Sequence, residues 1–295
     1  MKRTHEPLLT KCEVTKQPPT LNDNSASTTT QNQTMKNTSP VRLLAVLALG
    51  LSVLAGPTPA PAQSVPAPSI SPAQRALVLL KQSTDKLSAA KSFTVQTVNS
   101  AESLSPAGWM ITYFNTTEVA VQRPNKLVAK RTGDGPNFDI YYNGKTFSSL
   151  DQKLGLYAQM DAPPTLDALL PVVLEKTGMT FPFEDFLYGN VFTALTNGLT
   201  YADVAGQASV DKVLCDHLVF AGPGIEWQMW IGPEKDPLPR RLAVTYLGGA
   251  NQPRFLVDFS KWNLKARLSD SRFELKPPAG AKQIQFRPHT ATTKN

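Results

Sequence analysis

Between Ser92 and Pro278 the chain alternates bulky and polar side chains with period two, in eleven or twelve short segments. The first six read "SFTVQTV", "GWMITYFNTTEVAVQ", "NKLVAKR", "FDIYY", "KTFSSLD" and "GLYAQM". The others read "LTYADVAGQ", "VLCDHLVF", "EWQMWIG", "RRLAVTYL", "RFLVDFSKWNL" and "RFELKPP". Such alternation gives an extended strand one apolar and one polar face. Several faces are bulky: Trp109, Ile111, Tyr113; Trp227, Met229, Ile231; Leu242, Val244, Tyr246; and Phe255, Val257, Phe259. So many half-apolar strands must bury their faces together. The expected fold is α+β, mainly β: one strongly curved antiparallel sheet of about eleven strands, with a few helices on its concave side. Asn143-Gly144, between two of the segments, predicts a type I′ hairpin.

Helical signals are few. Ser71 is a good N-cap, Pro72 suits the first helical position and Gln74 completes a capping box. Ala73, Leu77, Leu80, Thr84 and Leu87 then form one apolar stripe. A second helix is predicted in "TLDALLPVVLEKTG", where Leu166, Leu169, Leu170, Val173 and Leu174 recur at helical spacing and Pro171 must kink or restart the helix. "FEDFLYGNVFTAL" reads as short helical turns. The run "NGKT" resembles the end of a phosphate-binding loop, but position 139, where that motif needs Gly, is Asp.

Ahead of the strands, "MKNTSPVRLLAVLALGLSVLAGPTPAPAQS" from Met35 has the anatomy of an export signal. Lys36 and Arg42 are basic, Leu43 to Gly56 is an uncharged apolar stretch of 14 residues, and Ala60-Pro61-Ala62 fits a signal peptidase. A spanning helix needs ~20 residues. The expected organisation is a disordered extension over 1–34, a signal peptide over 35–62 cleaved after Ala62, a linker over 63–70, one domain over 71–288 and a loose tail over 289–295. The polar extension precedes a second start at Met35, so translation from Met1 or from Met35 stays open. From Gln63 onward the chain has 24 Lys+Arg against 20 Asp+Glu, a balance of +4 with the signs interspersed. Such a surface, on an exported protein, makes nucleic acid an unsuitable partner. Cys215 would be the sole cysteine of the processed chain, which excludes an internal disulfide.

Five ordered motifs carry a family resemblance: "VAVQRPNKLVAKRTGDG…FDIYYNGKTFSSLDQKLGLYAQM", "FPFEDFLY", "VDKVLCDHLVF", "EWQMWIG…DPLPRRLAVTY" and "FELKPPAGAK". From about Ser71 to Phe286 the chain resembles domain-of-unknown-function family 2092, a group of predicted periplasmic bacterial proteins. More distantly, "RPN…NGK…LY" and "FELKPPAGAK" resemble the LolA and LolB lipoprotein-carrier superfamily. That resemblance implies a half-open antiparallel barrel lidded by helices around a hydrophobic cavity. It also implies a role for Arg123 in "VQRPN", since the matching arginine of the LolA carriers bonds the lid helices at the barrel mouth. The alternative for Arg123 is a surface arginine at a strand end, before Pro124.

The trio Cys215, Asp216 and His217 suggests a thiol enzyme or a metal site. On a strand, Cys215 and His217 share a face and Asp216 points away. Residues two apart on a strand are ~6–7 Å apart, too far for a hydrogen-bonded dyad. A zinc site needs about four ligands, and from Gln63 onward there are one Cys and two His. Glu184, Asp185 and Glu226 have no evident catalytic partner, and no nucleophile elbow or Gly-rich loop is present. The expectation is therefore a non-enzymatic periplasmic binding or carrier protein for a lipid, acyl chain or lipoprotein, without metal or cofactor. Its expected site residues are Arg123 and an apolar concave face of Trp109, Ile111, Tyr113, Trp227, Met229, Val244, Phe255 and Val257. Two alternatives stay open: a module that binds an envelope protein in signalling, and an unrecognised hydrolase.

Overall fold

The computed structural model describes residues 70–287 except 136, 182, 249 and 250. The extension, the export signal, its cleavage site and the tail with His289 lie outside the described residues.

Twelve strands form a single unclosed sheet. Six run as a meander: β1 (Ser92–Leu104), β2 (Met110–Gln122), β3 (Lys126–Gly133), β4 (Phe138–Tyr142), β5 (Thr146–Asp151) and β6 (Leu156–Asp161). Five more form a second meander: β7 (Tyr201–Val210), β8 (Val213–Gly222), β9 (Ile225–Ile231), β10 (Pro239–Tyr246) and β11 (Arg254–Asn263). The meanders join where β1 pairs with β11, and β7 is one edge of the sheet. At the other edge the short β12 (Lys282–Ile284) runs parallel to β6, so the sheet is mixed, not wholly antiparallel as expected.

"RFELKPP" is the one segment whose expected strand does not form. A 3-10 turn, Asp270–Phe273, occupies its start. Phe273 is buried with Ala120 and Val128 in a small second core, and Lys126 reaches both Asp270 and the Phe273 ring. Period two over so short a run could not distinguish a strand from one aromatic anchor with polar neighbours.

The hairpin at Asn143-Gly144 forms, pairing Tyr142 with Phe147. Gly144 has φ 89°, but Asn143 does not have positive φ, so the turn is not type I′. Instead the Asn143 carboxamide oxygen accepts from the backbone N–H of Lys145 and Thr146, at 3.0 and 2.9 Å. The two-residue loop with both residues at positive φ is Asp211-Lys212, between β7 and β8.

Helix α1 (Pro72–Ala89) starts at Ser71 with the expected capping box: the Ser71 hydroxyl accepts from Gln74 N–H, and Gln74 Oε1 accepts from Ser71 N–H. Its buried stripe is Ala76, Leu80, Ser83, Thr84 and Leu87; Ala73 is exposed. Helix α2 (Leu166–Thr177) runs through Pro171 as one helix, capped by Thr165 at its start and by Gly178 in the left-handed region at its end. After it come a 3-10 turn, Glu184–Leu187, and the short α3 (Val191–Thr196). These helical elements bury their apolar faces, with Leu80, Leu87, Leu169, Val173, Phe186 and Val191, in one core with the inward-facing residues of both meanders. No helix among the described residues is long and apolar enough to cross a membrane.

Candidate functional site

A cavity of about 270 Å³ lies between the first meander and the segment 180–187. Register explains its walls. On β1 the inward residues are Phe93, Val95, Thr97, Asn99 and Ala101, facing Val121, Val119, Thr117, Asn115 and Tyr113 of β2. Pairing carries this face to Leu127, Ala129 and Arg131 of β3 and to Ile140 of β4. On the other side of β1, Phe255 stands opposite Ala101. Val119, Leu127, Ala129, Phe138, Ile140 and Phe255 line the cavity from the sheet, and Phe181, Phe183 and Leu187 line it from the covering segment. Asn99, Asn115, Thr117, Arg131 and Thr180 give it one polar region.

That polar region is built across strands. Asn99, 4% exposed, donates from Nδ2 toward Asn115 Oδ1 at 2.9 Å, Thr97 Oγ1 at 3.1 Å and Thr117 Oγ1 at 3.2 Å. Its Oδ1 is buried without a partner. Arg131, paired in register with Thr117, lies over the Phe138 ring at 5.7 Å. The Arg131 Nε is buried and unpartnered, and burial pulls the guanidinium below its ordinary value with no opposing acid.

Arg123, at the end of β2, holds the segment that covers the cavity. Its Nη1 donates to the carbonyls of Leu187 (2.7 Å) and Tyr188 (2.8 Å), and its Nη2 to that of Phe186 (2.9 Å). The guanidinium also lies 5.8 Å from the Phe93 ring centroid. Burial lowers its proton affinity and the charge of Asp167 partly restores it; an ordinary value far above neutrality keeps it cationic. Asp167 accepts from Gly189 N–H at 2.9 Å, a second tie between α2 and the same segment.

The fastened turn carries two buried carboxyls. Burial raises both, Glu184 to about 8 and Asp185 to about 7, and the charge of Asp185 adds to the rise at Glu184. Glu184 Oε2 accepts weakly from Phe181 N–H at 3.4 Å, while Asp185 Oδ2 is buried without a partner. Among the described residues no group of three or more His, Cys, Asp or Glu is placed to hold a metal.

Of the apolar residues expected to line a site, only Phe255 reaches the cavity. Trp227, Met229, Val244 and Val257 are buried in the main core, where Phe220 stacks on Trp227 at 4.0 Å. Trp109 and Ile111 need correction as lining residues: Trp109 is 75% exposed before β2 begins, and Ile111 is exposed too. They share the inward parity of β2 but stay exposed near the β1–β2 turn. Tyr113 is partly buried and does not line the cavity. The residues missed were Asn99, Asn115, Thr117 and Arg131. Their signal was visible as polar residues at inward positions of otherwise alternating strands.

Cys215 and His217 face the same side of β8, away from the core side of Leu218 and Phe220. His217 stacks on Trp230 at 4.1 Å and pairs with Gln228 at 2.9 Å, while the buried Cys215 thiol donates to the Val213 carbonyl at 3.3 Å. Burial raises the thiol's pKa, which disfavours a thiolate. Trp230 continues to Arg241, which pairs with Asp258, so His217 belongs to a ladder of side chains across the sheet's outer face, while Asp216 bonds Gln207.

An unclosed, mainly β sheet with a mostly apolar cavity under a fastened helical segment defines a half-barrel with an internal cavity. The chain belongs to the family described as predicted periplasmic protein (DUF2092), whose model matches residues 76–287. No curated protein matches it significantly. Among solved structures it is similar to an uncharacterised conserved protein from Thermus thermophilus, at 10% identity and TM-score 0.43, covering 72% of this chain and 99% of that one. It is also similar to the lipoprotein LppX of Mycobacterium tuberculosis, at 15% identity and TM-score 0.41, covering 66% of this chain and 99% of that one. A LolA superfamily protein from Nitrosomonas europaea aligns at 11% identity and TM-score 0.31, over 68% of this chain and 97% of that one.

Proposed function

We propose that this protein is a periplasmic, non-enzymatic binding or carrier protein whose cavity takes an acyl chain, and that Arg123 latches the cover. The observation that carries this reading is the mostly apolar cavity of about 270 Å³, covered by a segment that one guanidinium fastens through three carbonyls. Ligand pockets span ~300–1,000 Å³, so this one suits a single chain and not a multiply acylated lipid. Each buried methylene contributes ~0.8 kcal/mol, enough for a chain to bind without extensive polar recognition. Arg123 is suited to a latch because its three bonds end on backbone atoms that can turn to water when the cover lifts.

The test is a fluorescent fatty-acid probe titrated into the wild type and Arg123→Leu. The wild type should bind it with saturation. The variant should bind with altered affinity and faster exchange, with a stability loss of about 2 kcal/mol from the orphaned carbonyls. Absence of binding in both, with no lipid extractable from either, would refute the carrier reading. The interaction-module alternative rests on a different observation: Trp109, Phe114 and Val98 are exposed on the β1–β2 hairpin. Cross-linking that captures one membrane protein through this hairpin would favour it.

A further inference from the structure

We infer that the polar region formed by Asn99, Asn115, Thr117 and Arg131 is a head-group site, and that the cavity takes a single-chain amphiphile with an anionic carboxylate or phosphate head. This inference rests on the carrier reading and specifies its ligand.

Among the described residues Arg131 lacks a counter-charge. A guanidinium has five N–H donors, and removing one from water is costly unless they are satisfied. Among the described residues no carboxylate and no hydrogen-bond acceptor pairs with Arg131; its contact is the face of Phe138. Arg241, Arg240 and Arg123 have acceptors at their terminal nitrogens, Arg241 on Asp258, Arg240 on Asp236 and Arg123 on three carbonyls, although Nε of Arg123 and of Arg240 is as unpartnered as that of Arg131. A cation without a counter-charge in a cavity wall is matched by an anion brought in from outside.

The second element is independent of the charge. Asn99 and Asn115 are buried amides on an inward face where alternation asks for apolar residues. Asn99 Nδ2 ties three neighbours together, which fixes the carboxamide plane, and its buried Oδ1 is left without a donor. A cavity for hydrocarbon alone gains nothing from this network, because burying amides costs free energy that apolar side chains of the same shape would avoid. Pre-set polar groups next to a cation are what an oxygen-rich head group requires.

The third element is the division of the cavity. The register sets Arg131, Thr117 and the amides toward one end of the sheet wall and Leu127, with Ala129 and Ile140, toward the other. A chain lying along these residues, with its head on Arg131, pairs charge with charge and hydrocarbon with hydrocarbon. Arginine suits both heads because its planar fork bonds carboxylate and phosphate oxygens two at a time.

The test uses the purified protein, with isothermal titration calorimetry of decanoic acid, decyl phosphate and decanol at neutral pH. The wild type should bind at least one of the two anions about tenfold or more tightly than decanol. Whichever anion binds more tightly identifies the head as carboxylate or phosphate. Arg131→Met, which keeps an unbranched stem, should bring the anions to within about twofold of decanol, and Arg131→Lys should retain part of the preference. Decanol binding the wild type as tightly as both anions would overturn the head-group site while leaving the carrier reading intact. So would an unchanged preference in Arg131→Met. If none of the three binds, the carrier reading fails and this site with it. Should Arg131→Met not fold, the wild-type comparison still decides.

Discussion

Arg123 and Arg131 stand eight positions apart, both partly buried, and the fold uses them differently. Arg123 meets carbonyls of its own chain and so holds the structure together, whereas Arg131 meets an aromatic face and lines the cavity. Side-chain type could not separate them; the partner decided. The same holds for Cys215, where a suggestive trio is resolved by partners that are all structural. Because Cys215 lies on the outer face, Cys215→Ser should leave probe binding unchanged and cost about 1–2 kcal/mol for burying a hydroxyl in place of a thiol. Denaturant unfolding and the fatty-acid titration measure the two effects, and loss of binding in a folded variant would show that the outer face matters to the site.

The 3-10 turn at Glu184–Leu187 belongs to the segment that covers the cavity. Its two carboxyls are buried with almost no hydrogen-bonding help, so their proton affinities are raised well above those of the unfolded chain, about 4 for both residue types. Between those limits the folded state binds more protons than the unfolded state. The pair's contribution to stability is therefore full below about pH 4 and is lost as pH rises toward about 8. The double variant Glu184→Gln, Asp185→Asn should flatten that decline, raising stability at pH 8 more than at pH 5. Thermal melts at both pH values measure this, and an equal effect at each would show that the pair is not protonated in the fold. Ionisation at high pH should also loosen this turn locally, seen as faster amide exchange at Phe186 and Leu187.

At the scale of the whole molecule, two meanders meet at the β1–β11 pair, and a cavity lies near that junction. The first meander supplies most of the cavity wall, while the second is filled by its own aromatic residues and α1. The family is one of predicted periplasmic proteins, and the segment 35–62 has the composition of an export signal. Expression in a bacterial host should therefore yield a periplasmic protein that begins at Gln63, as N-terminal sequencing of the periplasmic fraction would show. An intact segment 35–62 on the exported chain would contradict that expectation.

Sequence alone determined eleven of the twelve strand segments, their facing and the capped start of α1, because each depends on a period or pattern within about ten neighbouring residues. Mainly β character, a curved sheet and family membership follow from those local facts taken together. Tertiary structure decided which inward residues are covered by helices and which face a cavity. Trp227 and Val119 have the same pattern and both join the core, yet of the two only Val119 lines the cavity. It also decided that Phe273 anchors a turn on the outer face, that β12 joins β6 in parallel, and that Arg131 receives no acid. Such outcomes turn on contacts between residues far apart in the chain, whose placement depends on how two meanders curve and where α2 and the turn after it come to rest. Period two fixes which side of a strand a residue faces, and the elements packed on that side settle what it meets.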